Sequence, residues 1–111
     1  MNDLIKIKES NIHGKGVFAT TKLERGLILT CDVLIVDQLS KEHPLYVYQY
    51  PWLFKKNCIC IGFGSYFNHS KEPNVRIVST DKIKLTMSFI LLKDVYPSSE
   101  LFIDYGPSTF Y

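Results

Sequence analysis

The chain has 111 residues, of which 46% are apolar and 22% are charged. This length suits a single domain over residues 1–111, and the apolar content excludes a largely disordered chain. Thirteen Lys and Arg against eleven Asp and Glu leave a net charge of +2, which does not indicate the dense basic face of nucleic-acid-binding proteins. From this charge balance we expect no direct nucleic-acid contacts. No apolar run suits a signal peptide or a membrane span, so we also expect a soluble protein.

The first third of the chain shows short apolar stretches separated by turn residues. Residues 4–8 alternate apolar and polar side chains, which predicts a strand. A turn at residues 13–16 precedes a second extended segment at residues 17–19. Residues 27–36 are rich in Ile, Leu and Val, and we expect a buried pair of strands there rather than a helix.

Residues 40–56 have the least regular pattern. Tyrosine and tryptophan occupy alternate positions there, at Tyr46, Tyr48, Tyr50 and Trp52. Pro44 and Pro51 limit any helix between them to a turn or two.

The three cysteines are Cys31, Cys58 and Cys60, an odd number that cannot pair completely. Cys58-Ile59-Cys60 lacks the C-x-x-C spacing of redox and zinc sites. On a strand, these two thiols would share one face as small buried side chains. We therefore expect free thiols, no metal site and an intracellular, reducing location.

The second half of the chain reads as strands joined by turns. Every second residue from Ile83 to Leu91 is apolar, which predicts a half-buried antiparallel strand. Its expected partner is residues 75–78, joined through a turn at residues 79–81. A last strand is predicted at residues 101–105. The whole pattern predicts a mainly β domain.

Three polar segments are candidates for function, and each has a simpler structural explanation. Gly14-Lys15-Gly16 is either a bend that requires positive φ or a place where backbone approaches a ligand. Asn68-His69-Ser70, before Pro73-Asn74, is either a capped turn or a polar site in apolar surroundings. Asp104-Tyr105 is either a plain strand end or a site where a tyrosine exposes its hydroxyl.

Taken together and in this order, these segments resemble the SET-domain family of protein lysine methyltransferases. Residues 13–19 are similar to its first signature, residues 67–74 to its N-H-S-x-x-P-N segment, and residues 93–105 to its closing segment ending in E-L-x-x-D-Y. The resemblance covers residues 4–106. It implies a mainly β SET fold (β-clip) of several small sheets with a C-terminal pseudoknot, in which the chain end near Tyr105 threads the segment near Asn68.

The resemblance also implies an activity, the transfer of methyl groups from S-adenosylmethionine to a protein lysine ε-amine. It assigns the catalytic role to Tyr105. The residues that it places against the cofactor are Gly14, Lys15, Gly16, Asn68 and His69. Those expected to line the substrate channel are Tyr48, Tyr50, Trp52 and Phe110.

Some positions depart from the family pattern. Lys71 stands where many members carry a zinc-binding Cys, and no Cys follows Cys60, so we expect a minimal form without the zinc modules. Pro107 replaces an aromatic residue that helps to set the number of methyl groups. Small SET proteins of this kind resemble those of large DNA viruses, which would place a viral chain in the host nucleus as a chromatin regulator. The small core favours a homodimer.

The expected substrate is a histone tail, in particular H3, with a lysine of a non-histone protein as the next choice. Two other readings stay open. One is a SET fold that binds a peptide or cofactor without catalysis. The other is a small β-barrel that binds single-stranded nucleic acid through aromatic faces and lysines.

Overall fold

Alternating apolar residues build short strands throughout the part of the chain that the computed structural model describes, residues 3–105. The strands are β1 (Ile5–Glu9), β2 (Lys15–Ala19), β3 (Ile28–Asp37), β4 (Gln49–Pro51), β5 (Lys56–Cys60), β6 (Asn68–His69), β7 (Val75–Asp81), β8 (Thr86–Leu91) and β9 (Glu100–Ile103). Single 3-10 turns lie at Tyr46–Tyr48 and Phe63–Ser65. Within these residues, no helix is long and apolar enough to span a membrane.

The strands form two sheets, which confirms the predicted mainly β fold. One has four strands in the order β1-β2-β9-β6, and the other has five in the order β4-β5-β3-β8-β7. Neighbouring strands are antiparallel except β6 and β9, which run parallel. The four-stranded sheet therefore joins elements from both ends of the chain.

The core is built from side chains of both sheets, including Leu101 on β9 as well as Phe89 on β8. Phe89 on β8 is fully buried, and its ring centroid lies 4.9 Å from that of Phe67, 6.1 Å from that of Phe63 and 6.2 Å from that of Tyr50. Ring separations of this size suit the tilted and edge-to-face packing that aromatic side chains prefer. The cluster ties the segment before β6 and strand β4 to one rigid support.

The pair of strands predicted at residues 27–36 is one strand, β3, which changes partner halfway along. Ile28–Asp32 pairs with β8, whereas Val33–Asp37 pairs with β5 on the other side. Alternate residues of β3 up to Val33 are buried, so Leu29, Cys31 and Val33 face the core, whereas Ile28 and Leu34 are exposed.

The turn between β7 and β8 lies later than the sequence pattern indicates. The residues predicted as the turn, 79–81, belong to β7, and β8 begins at Thr86 rather than at Ile83. The Asp81 carboxylate accepts the backbone N–H groups of Ile83 and Lys84, both at 2.9 Å, which holds the chain in a turn there. Ile83 is consequently 94% exposed, although the predicted pairing of β7 with β8 is confirmed.

The prediction of free, buried thiols agrees with the structure. All three thiols are free and buried, and Cys58 and Cys60 share the core face of β5. Burial raises the pKa of the Cys58 thiol to about 12, so it stays protonated at neutral pH.

Strand β9 is enclosed by the segment that begins with β6. Ser70 N–H donates to the Ile103 carbonyl at 2.9 Å. The Asn74 side chain forms two further bonds to β9, accepting the Phe102 N–H at 2.7 Å and donating to the Glu100 carbonyl at 3.0 Å. This amide completes the backbone pairing on the side of β9 where β6 is only two residues long.

Replacing Asn74 with alanine is expected to lower the free energy of unfolding by about 2 kcal/mol or more, because two partly buried backbone groups of β9 lose their partners. Urea unfolding followed by fluorescence would measure the change. Asn11→Ala, at an exposed turn residue, is the matched control and should cost less than about 0.5 kcal/mol. Equal stability of the two variants would contradict the assigned role.

Candidate active site

Two cavities meet where the glycine turn and the segments around Asn68 and Tyr105 converge in space. The glycine-turn cavity, of about 540 Å³, is lined by His13, Gly14, Lys15, Tyr66 and Asn68. The aromatic cavity, of about 430 Å³, is lined by Tyr46, Gln49, Tyr50, Pro51 and Asn57. Residues that line both are Val47, Tyr48, Ser65, Phe67 and Tyr105. The two cavities therefore share a wall that includes Tyr105.

The two glycines of the turn have different physical roles. Gly14 has a φ of +47°, in the left-handed region that glycine adopts readily. Gly16 is buried and lines neither cavity. A Cβ on Gly16 would collide with the Glu100 carboxylate, 2.8 Å from its Cδ, and would lie 3.1 Å from Nδ2 of Asn68. Gly16 thus permits a close approach of side chains behind the cavity, whereas Gly14 and Lys15 form the wall itself.

Asn68 holds the glycine turn in place. Its side chain is buried, and Nδ2 donates to the carbonyls of His13 at 3.1 Å and Lys15 at 3.2 Å and to Oε2 of Glu100 at 2.7 Å. Two hydrogens serve three acceptors, so one hydrogen is shared between the backbone carbonyls. This arrangement sets the amide orientation, and among the described residues no donor bonds to Oδ1.

His69 acts on Tyr105 rather than on either cavity, neither of which it lines. Its Nδ1 accepts the Tyr105 backbone N–H at 2.8 Å, and the ring centroids lie 5.1 Å apart. An Nδ1 that accepts this bond carries no proton. Oδ1 of Asp104 lies 3.6 Å from the same nitrogen, too far for a hydrogen bond. The predicted cofactor residue His69 therefore contributes by fixing the backbone of the predicted catalytic residue.

Tyr105 is half exposed, and its hydroxyl donates a hydrogen bond to the Phe67 carbonyl. Partial burial raises the pKa of this hydroxyl above its ordinary value of 10.0. The phenol is therefore protonated at neutral pH and can donate. Its hydroxyl bonds to Phe67, just before β6, and its backbone bonds to His69 within β6, so the residue is held at the shared wall.

The predicted channel residues separate into three groups. Tyr48 lines both cavities, and Tyr50 lines the aromatic cavity while its buried hydroxyl donates to the Gly64 carbonyl at 2.7 Å. Trp52 lines neither cavity because it packs against the core with Nζ of Lys82 3.6 Å from its ring centroid. Phe110 lies outside the described residues.

Some residues at the site were not among those predicted from the sequence. Gln49 and Asn57 lie on adjacent strands of the aromatic cavity, where Nδ2 of Asn57 donates to Oε1 of Gln49 at 2.7 Å. Glu100 lies behind the glycine turn. Its position in the E-L-x-x-D-Y segment could have indicated a role at the site, but its hydrogen-bond partners are distant in sequence. Within residues 3–105, no group of three His, Cys, Asp or Glu side chains could hold a metal ion.

A mainly β domain in which the glycine turn, Asn68 and Tyr105 line adjoining cavities agrees with the SET resemblance of the sequence motifs. The comparisons agree, since the SET domain family model matches residues 14–106. A curated relative from Schizosaccharomyces pombe, named histone-lysine N-methyltransferase, H3 lysine-37 specific, is 33% identical over an alignment of 111 positions that covers 92% of this chain and 73% of that protein. The chain belongs to the SET-domain family and is related to histone-lysine methyltransferases.

A solved structure shows the same fold. The crystal structure of a proposed histone methyltransferase of Plasmodium falciparum superposes with a TM-score of 0.81 at 22% identity, covering 100% of both chains. The predicted SET fold of several sheets is therefore confirmed.

Proposed function

We propose that this protein transfers a methyl group from S-adenosylmethionine to a lysine ε-amine of another protein. The observation that carries the proposal is the meeting of two cavities at Tyr105. One cavity presents polar backbone and an amide, and the other presents aromatic side chains. A methyl donor and a lysine could thus approach the same point from different sides.

The glycine-turn cavity suits S-adenosylmethionine by its chemistry. Its volume lies within the range of small-molecule sites, about 300–1,000 Å³. Lys15 supplies a cation for the carboxylate, and Oδ1 of Asn68 supplies an acceptor for the ammonium group. Tyr48, Tyr66 and Phe67 supply aromatic surface. When bound, S-adenosylmethionine supplies a methyl group on a positively charged sulfur, which an amine can displace.

The aromatic cavity suits a lysine side chain. The rings of Tyr48 and Tyr50 give apolar surface for its methylenes, and their faces attract an ammonium or methylated head group. Lysine in water has a pKa near 10.4, so the amine must lose a proton before it attacks. Desolvation between these rings lowers the pKa of the amine and favours its neutral, nucleophilic form.

Tyr105 would align the two reactants. The displacement creates no new charge, so rate depends on the alignment of amine and methyl group and on the exclusion of water. The protonated hydroxyl is fixed by its bond to the Phe67 carbonyl, which keeps a polar edge at the shared wall without a mobile side chain. The carbonyl oxygens beside it can accept weak C–H···O contacts from a methyl group.

The substrate that we propose is a lysine of a histone tail, in particular of H3. The name of the fission yeast relative specifies H3 lysine 37, and this chain spans most of that protein. Action on histones would place the protein in the nucleus. Because residues 106–111 lie outside the described part of the chain, the test uses the full chain.

The experiment combines the full chain with isotopically labelled S-adenosylmethionine and recombinant H3, and locates the label by peptide mass spectrometry. The expected result is label on one or a few lysines, and none when those lysines are replaced by arginine. Binding of the donor without label on any histone or lysate protein would favour a binding module instead. Salt-dependent binding of single-stranded nucleic acid with no donor binding would overturn the proposal.

A further inference from the structure

The Glu100 carboxylate connects two distant segments behind the glycine-turn cavity. Its Oε1 accepts the Ser10 hydroxyl at 2.7 Å, and its Oε2 accepts Nδ2–H of Asn68 at 2.7 Å. These partners lie 90 and 32 residues away in sequence. Hydrogen bonds to an ionised acceptor are stronger than those between neutral groups. One carboxylate therefore joins β9 to the segment after β1 and to β6.

Ser10 and Asn68, the two donors to Glu100, also hold the turn that forms the cavity wall. The Ser10 hydroxyl oxygen accepts the Ile12 N–H at 3.0 Å, and the Ser10 N–H donates to the Gly14 carbonyl at 2.8 Å. At the other end, Asn68 holds the carbonyls of His13 and Lys15. The turn over residues 10–15 is thus held at both ends by side chains that bond to the same carboxylate.

Glu100 lies on the far side of this wall. It does not line the glycine-turn cavity; it borders a shallow surface groove with Lys8, Asn11 and Phe18. The absence of a side chain on Gly16 lets the carboxylate approach the turn closely. Glu100 would therefore affect a ligand in the cavity only indirectly, through the positions of Asn68 and the turn backbone.

We propose that Glu100 is a positioning residue that sets the geometry of the donor-binding wall. For its effect on methyl transfer, this inference rests on the function proposed above. Glu100 orients the Asn68 amide so that Oδ1 remains available to the ligand, and it holds the turn through Ser10. Glu100→Gln keeps the volume and removes the charge: its amide oxygen can still accept from Asn68 and its NH₂ group can donate to the Ser10 hydroxyl oxygen, so both bonds become bonds between neutral groups.

The test compares Glu100→Gln and Ser10→Ala with Glu24→Gln, an exposed glutamate away from both cavities. Calorimetry measures binding of S-adenosylmethionine, steady-state assays measure kcat and the KM for the donor, and hydrogen exchange measures protection of the amides of residues 12–16. Glu100→Gln should raise Kd and KM for the donor about 10-fold, because both hydrogen bonds lose their charge assistance. Ser10→Ala should shift both in the same direction by a smaller factor.

Three further results support the inference. The kcat at saturating donor should change by less than about twofold, since Tyr105 is untouched. Exchange of the turn amides should accelerate selectively, while the core strands β3 and β8 stay protected. The double variant should be no weaker than Glu100→Gln alone, because both substitutions break one network.

Unchanged donor affinity and unchanged turn exchange in both variants would overturn the inference. Uniform loss of protection across β3 and β8 in Ser10→Ala and Glu100→Gln would also overturn it, since the role would then be general stability. The exchange measurement needs no methyl transfer. Thus a wild-type protein that transfers no methyl group would overturn the proposed function, while selective loosening of the turn would still support Glu100 as its positioning residue.

Discussion

Tyr105→Phe is expected to lower kcat by about 100-fold or more, the scale on which misalignment of reacting groups acts. The variant keeps the ring and its packing against His69 but removes the hydroxyl that bonds to the Phe67 carbonyl. The ring can then move at the wall shared by the two cavities, and the polar edge there is lost. In the proposed arrangement Lys15 and Asn68 hold the donor, so Kd should change less than about twofold.

Single-turnover assays and calorimetry separate these two quantities. Tyr96→Phe is the matched control, because Tyr96 is 58% exposed, lines neither cavity and should leave both values unchanged. A Tyr105→Phe enzyme with the wild-type rate would remove the residue from the catalytic role. A parallel loss of donor affinity and rate would assign it to binding instead.

Gly16→Ala is expected to reduce donor affinity about 100-fold or more and to lower the free energy of unfolding by about 1–3 kcal/mol, the usual cost of overpacking. The added methyl group would occupy the space of the Glu100 carboxylate and press on Asn68. Neither group can shift without breaking bonds that hold the glycine turn. Calorimetry and urea unfolding measure the two effects on the same sample.

Gly26→Ala is the control for this substitution. Gly26 has a φ of +92°, so alanine is strained there, yet a Cβ at this position meets no atom within 4 Å. Gly26 lines neither cavity, and its variant should lose stability while it keeps donor affinity. If Gly16→Ala bound the donor as the wild type does, close packing behind the turn would not shape the site.

Local alternation of apolar residues predicts strands β1 and β8, since burial of one face is recorded in their sequence. It failed where a side chain overrode the pattern. The alternation continues through Ile83, but the Asp81 carboxylate accepts two backbone N–H groups and stabilises a turn there. Likewise, nothing in the composition of residues 27–36 shows that β3 exchanges one partner for another at Val33.

The motifs predicted which segments form the site, but not what each side chain does there. The turn segment, Asn68 and Tyr105 do come together. Trp52 shares the alternation of its neighbouring tyrosines, yet it follows Pro51 at the end of β4 and packs under Lys82. Glu100 depends on partners 32 and 90 residues away, and no local pattern reports such contacts.

The most direct test of the proposed arrangement is a crystal structure of the full chain with S-adenosylhomocysteine and a lysine-containing H3 peptide. We expect the amino acid part of the ligand beside Lys15 and Asn68, its sulfur facing Tyr105, and the lysine side chain between Tyr48 and Tyr50. Ligand density away from the glycine turn, or a lysine that enters without reaching the wall shared by the two cavities, would contradict it.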